Sequence, residues 1–437
     1  MNLSGFNQRG GSGLFRRERR IFCNPINTYT WTVPDGVTKV FAFVIGAGGG
    51  GAHRNWDNDS DDVSGGGGGG GGYAQGIIAV TPGATHTITV GKGGKGESGK
   101  VVSASAGSAS SFASYLTGNG GPAGSEVSYS SSNRGSTTYG QGGSASTSGV
   151  TEAYTAAGGG AGIGYSTNSN ATNTTSSSAV AGTNGATGGA ASGSPFSAGS
   201  GKCMSTRYAA IGGAGWGTGQ YKDNDGRFYN SWTHSSNRYQ GGGATGGDGS
   251  HNMAGIYLTS NNFASRQTNN TPGGCGISAR GGHVGSGGFT AGASTNGSSI
   301  AGMREINGET RDWWFPWEVD GGGGGGDAHS YTSGENNMYA EGGHGGAGAG
   351  GGGAAVNRSD NQRQAAYGGN GGFGGGGGGA YGYTSSNDNQ DGAAIVGGNG
   401  GIGGGGGGTS HYYRARNTTY YGNQAGDGGH GIVVIYW

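Results

Sequence analysis

The residues that could do chemistry are few and widely spaced in this chain of 437 residues. Its nine histidines form no HxH, HxxxH or HExxH pattern, and its cysteines, Cys23, Cys203 and Cys275, show no CxxC or CxxH spacing. These spacings predict neither a zinc site nor a disulfide framework. Serine is so common that a Ser-His-Asp combination carries no information. We therefore expect a protein that is not an enzyme and that needs no cofactor.

One acidic cluster has a spacing that could hold a metal ion. Asp57, Asp59 and Asp61 match the first half of a calcium-binding loop. The sixth position of such a loop is Asp62 here instead of glycine, and the twelfth is Gly68 instead of glutamate. We therefore expect a solvated loop tip, with a weak ion site as the less favoured interpretation.

Aromatic side chains inside polar segments are the more informative feature. Tyr and Trp act as rigid anchors, and Ser, Asn and Gly as adaptable partners, in antibody-like binding surfaces. Binding hot spots also favour these aromatic residues and arginine. Three groups follow the pattern: Trp313, Trp314, Phe315 and Trp317; Phe228, Tyr229 and Trp232; and Tyr412, Tyr413, Tyr420 and Tyr421. The alternative is that the rings cap a glycine-rich core, and for the Trp313 group both interpretations stay open.

The composition limits how such segments can be positioned. Glycine accounts for 115 residues, and only 31% of the chain is hydrophobic, which is too little to fill ordinary cores over this length. Disordered chains usually combine few aromatic residues with a high net charge. This chain has 8 Trp, 22 Tyr and 12 Phe, and its formal net charge is zero. We therefore expect an ordered protein held together more by backbone hydrogen bonds than by side-chain burial.

The one asymmetry of charge lies at the N-terminus, in Arg9, Arg16, Arg17, Arg19 and Arg20. A basic arm could bind nucleic acid, but no basic surface follows it and the balanced charge creates no overall attraction. We favour a docking segment for a partner protein. No apolar run follows the arginines as in a signal peptide, and none approaches the ~20 residues of a membrane span.

Strand patterns occur near both ends of the chain. Lys39–Ile45 is apolar enough to be buried on both faces, and a Pro34-Asp35-Gly36 turn separates it from a strand at Thr30–Val33. Tyr73–Val80 and His86–Val90 flank Thr81-Pro82-Gly83-Ala84 and predict a hairpin. Gly431–Trp437 is the strongest strand pattern. Together these patterns predict a mainly β protein with a small antiparallel β-sandwich over residues 28–117, which residues 428–437 complete. An attachment arm over residues 1–27 precedes it.

Between these strands, glycine runs alternate with polar and aromatic segments. The runs include Gly65–Gly72, Gly321–Gly326, Gly374–Gly379 and Gly403–Gly408. Glycines in a three-residue helix of the polyproline type leave their amides free to bond sideways, and without Cβ atoms such helices can pack closely. We expect residues 118–427 to be an inserted bundle of polyglycine II helices carrying loops, in preference to flexible linkers. The runs show no fixed period, so we do not expect a regular solenoid.

The glycine-rich segments with their flanking strands resemble a known family. The stretch from Trp31 to Gly51, the stretch from Gly72 to Gly94, the segment Gly107–Phe112 and the closing Gly429–Trp437 resemble the glycine-rich domain of bacteriophage tail-fibre proteins. The alternation of glycine runs with loops is also similar to the polyglycine tail-fibre-tip adhesins of T-even-type phages. Related domains occur in animal receptor kinases, which carry a signal peptide and a membrane span.

The resemblance implies a virion protein of the tail fibre or tail tip, made in the host cytoplasm. It implies that loops on the glycine scaffold bind a host outer-membrane protein or surface glycan, with the aromatic groups as candidate receptor contacts. Another tail or fibre protein would bind the arginine-rich N-terminus, without nucleic acid or membrane insertion, and a homo-oligomer is left open. The alternative is a purely structural virion or filament protein whose loops make subunit contacts.

Overall fold

The computed structural model describes residues 18–25, 28–56, 62–98, 103–124, 126–129, 142–156, 158, 162–163, 191–192, 220–222, 228–230, 257–258, 268–269, 305–306, 309–310, 327–330, 338–341, 344, 351, 354–358, 364–384, 394–413 and 422–437. Within these ranges the secondary structure consists of strands and contains no helix. The prediction of a mainly β protein is therefore confirmed. A membrane-crossing helix is accordingly not found in the described part of the chain.

The strands are short and follow one another along the whole described chain. The first fourteen are β1 (Arg19–Phe22), β2 (Tyr29–Thr32), β3 (Lys39–Ile45), β4 (His53–Trp56), β5 (Asp62–Gly65), β6 (Tyr73–Ala79), β7 (Thr85–Thr89), β8 (Ser110–Phe112), β9 (Leu116–Gly118), β10 (Glu126–Tyr129), β11 (Ala145–Thr147), β12 (Thr151–Ala156), β13 (Gly162–Ile163) and β14 (Ala191–Ser192). The others are β15 (Gln220–Lys222), β16 (Phe228–Asn230), β17 (Tyr257–Leu258), β18 (Thr268–Asn269), β19 (Glu305–Ile306), β20 (Glu309–Thr310), β21 (Asp327–Ser330), β22 (Met338–Glu341), β23 (Ala354–Arg358), β24 (Gln364–Tyr367), β25 (Ala380–Thr384), β26 (Ala394–Val396), β27 (Thr409–Tyr413) and β28 (Ile432–Tyr436).

The C-terminal strand is central to the first antiparallel sheet, whose order is β1-β28-β3-β6-β12. Strand β28 pairs with β3 from Ile432 opposite Ile45 to Tyr436 opposite Phe41. The predicted pairing between the two ends of the chain is therefore confirmed. Strand β3 is buried on both faces, as its apolar sequence predicts, and only Lys39 is exposed.

A second antiparallel sheet, of order β11-β9-β8-β7-β2, shares a hydrophobic core with the first. From the first sheet, Val40, Ala42 and Val44 enter this core. From the second, Trp31 and Phe112 meet them, with their ring centroids 5.8 Å apart in an edge-on contact. Alternate residues of each strand supply the core because successive side chains point to opposite faces of a sheet.

Three details of this region differ from the sequence-based expectations. The predicted hairpin is wrong: β6 and β7 lie in different sheets, and the turn containing Gly83 (φ 77°) carries the chain across from one to the other. The sheets also recruit strands outside residues 28–117, including β12 and β1. Arg19 and Arg20, predicted to lie in an attachment arm over residues 1–27, lie in β1 and pair with β28; their role in attachment stays a prediction.

Two parallel sheets show that the second half of the chain repeats. The five-stranded parallel sheet has the order β21-β23-β25-β27-β4, and the three-stranded parallel sheet has the order β22-β24-β26. Apart from the pairing of β27 with β4, paired residues are 26 to 29 positions apart, as for Ala354 with Ala380 and Ala380 with Thr409. The spacing is not constant, which agrees with the absence of a fixed period, but the same order of elements recurs. The repeat unit is a strand of the three-stranded sheet, a glycine-rich segment and a strand of the five-stranded sheet.

The glycine-rich segments bond to several neighbours around their circumference. In residues 46–52 the acceptor changes with a period of three: Gly46, Gly49 and Ala52 donate to Gly72, Gly69 and Gly66; Ala47 and Gly50 donate to Ser108 and Ser105; Gly48 and Gly51 donate to Gly429 and Gly426. These N···O distances are 2.7–3.0 Å. A strand in a sheet has neighbours on two sides only, so this segment is bonded differently from the strands.

Candidate functional site

The C-terminal ends of the strands in the five-stranded parallel sheet lie along one edge. Because its strands are parallel neighbours, their C-terminal ends meet at the same edge. Residues 57–61, 331–337, 359–363, 385–393 and 414–421 directly follow those ends. Backbone bonding therefore fixes the points from which these five segments depart.

Residues at or next to the C-terminal ends of the strands form a row that contains several aromatic residue types. The register places Tyr383 opposite Tyr412, and Tyr412 opposite Trp56, on three adjacent strands. Ser330 and Asn357 extend the same row. Neighbouring strands lie about 4.8 Å apart, so these positions are close together in space. They can be far apart in the sequence, because β4 and β27 are separated by 356 residues, as in the pairing of His53 with Thr409.

A buried polar cluster lies at the start of two of these strands. The Nδ1 atom of His53 lies 2.7 Å from the hydroxyl oxygen of Thr409, and the backbone amide of His53 donates to a carboxylate oxygen of Glu97 at 2.9 Å. Nearby, His411 and Asn423 are bonded, with 3.1 Å between Nδ1 and Nδ2. His53, Thr409, His411 and Asn423 are each at most 3% exposed. The cluster ties β4 and β27 to residues 97 and 423.

The protonation state of His411 follows from this geometry. Asn423 uses its carbonyl oxygen to accept the backbone amide of Ile395, so its Nδ2 must be the donor to His411. The Nδ1 atom of His411 is then an acceptor, which requires a neutral ring. Burial, reinforced by the charge of His53, lowers the pKa of His411 to about 3. The pair therefore acts as a structural contact in its neutral form.

A second set of polar side chains links successive glycine turns, and we call it the polar ladder: His344, Asn370, Asn399 and Asp427. Each member accepts a hydrogen bond from a backbone amide of the next segment. Asn370 N donates to His344 Nδ1 at 2.9 Å, Asn399 N to Asn370 Oδ1 at 2.8 Å, and Asp427 N to Asn399 Oδ1 at 2.9 Å. Asp427 in turn accepts from Gly96 N at 2.8 Å and pairs with Lys95 at 2.6 Å. The ladder fixes the register of the turns.

The sequence-predicted site residues fall largely outside the described residues. This holds for the Trp313 group, Trp232, Tyr420, Tyr421, Arg9, Arg16, Arg17, Asp57, Asp59 and Asp61. Phe228 and Tyr229 lie in β16, which pairs with β15. Tyr412 and Tyr413 lie in β27, at the loop-bearing edge. Their role in binding stays a prediction.

Two members of the edge row, Trp56 and Tyr383, are not among the site residues predicted from the sequence. The signal that could have found them is a shared context: each stands a few residues after a glycine run, in the same place as Tyr412. Among the described residues, no three His, Cys, Asp or Glu side chains come together as a metal site would require.

Comparison with known proteins supports the glycine-rich part of the resemblance. A family model described as a glycine-rich domain matches residues 24–256, which is more than half of the chain. The match covers both antiparallel sheets except for β1 and β28. A search of curated proteins finds no match. The chain belongs to the glycine-rich domain family.

Proposed function

We propose that this protein is a virion adhesin of the tail fibre or tail tip, which binds a host cell-surface receptor through loops on a polyglycine scaffold. The observation that carries the proposal is the shared edge of the five-stranded parallel sheet, where five polar segments leave adjacent strand ends. Loops grouped on a rigid scaffold are a common way to build a binding surface. The protein acts by binding and not by catalysis.

The scaffold consists, in this proposal, of a small β-sandwich and polyglycine II helices. The shared core of the two antiparallel sheets supports the sandwich. The three-residue periodicity of the bonds from Gly46 to Ala52 supports the helices, since a polyglycine II helix has three residues per turn and directs its amides outward. Because glycine has no side chain, the helices form a stiff core while the large residues remain available for loops.

The receptor is a host outer-membrane protein or a surface glycan, and the candidate contacts are the aromatic groups around Trp313, Tyr229 and Tyr412. The N-terminal residues that precede β1, with their arginines, bind another tail or fibre protein. The protein is made in the host cytoplasm and is carried on the virion.

Competition for adsorption tests the proposal. Purified full-length protein should block adsorption of the particle to host cells, and antibodies against it should label the tail in electron micrographs. A variant with residues 385–393 and 414–421 replaced by Gly-Ser segments of equal length should fold but lose the blocking activity. Labelling of the tail without any competition by the wild-type protein would instead favour a structural virion protein.

A further inference from the structure

Three members of the polar ladder, His344, Asn370 and Asn399, border an open groove. The groove has a volume of about 430 Å³, within the ~300–1,000 Å³ typical of small-molecule sites. Glycine and alanine form much of its floor. The side chains that line it belong to Tyr367, Val396, His344, Asn370, Asn399 and Gln424.

The ladder fixes the orientation of two amide groups beside this groove. A backbone amide can only donate, so the atoms of Asn370 and Asn399 that accept from the next segment are their Oδ1 atoms. Each Nδ2 group is consequently turned away from that neighbour, and both side chains are exposed. The two residues occupy equivalent places in successive repeats. They therefore offer two oriented donors about one strand spacing apart, ~4.8 Å.

The rest of the lining favours a neutral polar ligand. Tyr367 is half-buried and supplies an aromatic ring, and Gln424 is exposed and supplies a further amide. Among the described residues that line the groove none is Asp, Glu, Lys or Arg. Such a lining offers no opposite charge to a strongly charged ligand. An apolar ligand would remove water from the exposed amides without giving them hydrogen-bond partners.

We propose that this groove binds a neutral oligosaccharide. Sugar hydroxyls accept hydrogen bonds from oriented amide groups, and the C–H face of a sugar ring packs on an aromatic ring. The repeat of the ladder matches a polymer that is itself built of repeating units. This inference rests on the proposed adhesin function and assigns a glycan to one of its surfaces. Binding at one shallow groove is weak, and several copies on one particle raise the overall avidity.

The ladder also supplies a variant that removes the donors without disturbing the scaffold. Asp427 occupies the equivalent position in the next turn, and its carboxylate accepts the amide of Gly96 in the same way. Asn370→Asp and Asn399→Asp should therefore keep the acceptor that each turn requires and lose only the Nδ2 donor. Asn24→Asp adds the same charge at an exposed position outside the groove and is the matched control.

The experiment uses full-length protein and an array of immobilised neutral oligosaccharides from bacterial surface polysaccharides, followed by titration of the strongest binder. We expect each ladder variant to bind that glycan about tenfold more weakly, as the loss of one hydrogen bond predicts. The melting temperature should stay unchanged, and Asn24→Asp should bind like the wild type. Absence of any array binding by the wild type, or equal binding by the ladder variants, would overturn the glycan assignment.

The two proposals fail in different ways. If the array is negative while purified protein still blocks adsorption of the particle, the adhesin function stands and the groove is not its glycan site. If the array is positive but the protein neither binds host cells nor blocks adsorption, the groove binds glycan and the adhesin function is wrong.

Discussion

A single methyl group in the glycine core tests the scaffold most directly. Gly398 is buried, donates to Gly378 at 2.7 Å and accepts from Gly407 at 2.9 Å. A Cβ atom added here would meet the backbone of Gly369 far inside van der Waals distance, and would lie 2.9 Å from the carbonyl oxygen of Gly368. These obstacles are backbone atoms, which cannot rotate away as a side chain does. Gly398→Ala must therefore push neighbouring segments apart.

The size of the effect follows from what has to move. Overpacking a close-packed interior by a methylene or two costs about 1–3 kcal/mol, and each weakened backbone bond of Gly398 costs about 0.5–1.5 kcal/mol. Replacement of glycine by alanine gains about 0.4–1 kcal/mol through a less flexible unfolded chain. We expect a net loss of about 3 kcal/mol in the free energy of unfolding. At ~2 °C per kcal/mol this lowers the melting temperature by roughly 6 °C.

Thermal unfolding followed by circular dichroism measures this shift. Lys92→Ala is the control, because Lys92 lies in a glycine-rich segment but its side chain is exposed. We expect the control to melt within about 1 °C of the wild type, as surface substitutions usually do. If Gly398→Ala melts together with the control, the segments are not in close contact and the bundle interpretation is refuted.

Three further predictions concern charge, attachment and recognition. As the pH falls from 6.5 to about 3, His411 binds a proton in the unfolded chain but stays neutral in the folded chain. The free energy of unfolding should therefore drop by about 5 kcal/mol over that window, and denaturant titrations of His411→Gln should show a shallower decrease. Deletion of residues 1–17 should abolish incorporation into particles at unchanged melting temperature, whereas deletion of 1–23 should also lower it by removing β1; normal incorporation of the shorter deletion would contradict the docking role. Alanine at each aromatic residue of the Trp313 group should weaken host-cell binding by about 2 kcal/mol, roughly thirtyfold, at unchanged stability; loss of stability first would assign these rings to the core.

The sequence predicts well which residues of a strand are buried. It predicts poorly where the chain crosses from one sheet to the other. Seven consecutive residues from Lys39 to Ile45 are apolar apart from the first, so burial of both faces of β3 follows directly from their types. The turn at Pro82-Gly83 fits a hairpin as well as a crossover between sheets. The choice depends on β2, which pairs with β7 in the second antiparallel sheet. Val33 bonds to both Gly83 and Ala84, which attaches that turn to the second antiparallel sheet.

The repeat has no fixed period because the segments that connect its strands differ in length. The sequences around His344, Asn370 and Asn399 share the pattern Gly-Gly-X-Gly-Gly, but 26 and 29 residues separate them, as the registers of β22, β24 and β26 require. In a chain with 115 glycines such a pattern is hard to distinguish from chance. Its meaning becomes clear when X is seen to be a hydrogen-bond acceptor in every turn.

The N-terminal strand shows the same limit for charge patterns. Arg19 and Arg20 look like part of a solvated basic arm, yet the next residues, Ile21 and Phe22, complete a strand. Phe22 reaches the hydrophobic core and is 7% exposed, whereas Ile21 remains 38% exposed. The partner that orders this strand is β28, which lies at the other end of the chain. A pairing between the two ends cannot be read from the residues around Arg19 alone.

A core made of glycine leaves one structural problem, and the polar side chains solve it. Segments without side chains can slide along one another at little cost, because each step by three residues restores the same backbone bonds. Larger side chains must therefore set the register. The polar ladder does so at the turns, and the contacts of His53 with Thr409 and of His411 with Asn423 do so where the strands begin. The register is thus held at two levels by residues of the strands and of the glycine-rich segments. In the proposed adhesin, the loops can change in sequence and length as the receptor changes, while the scaffold that carries them stays the same.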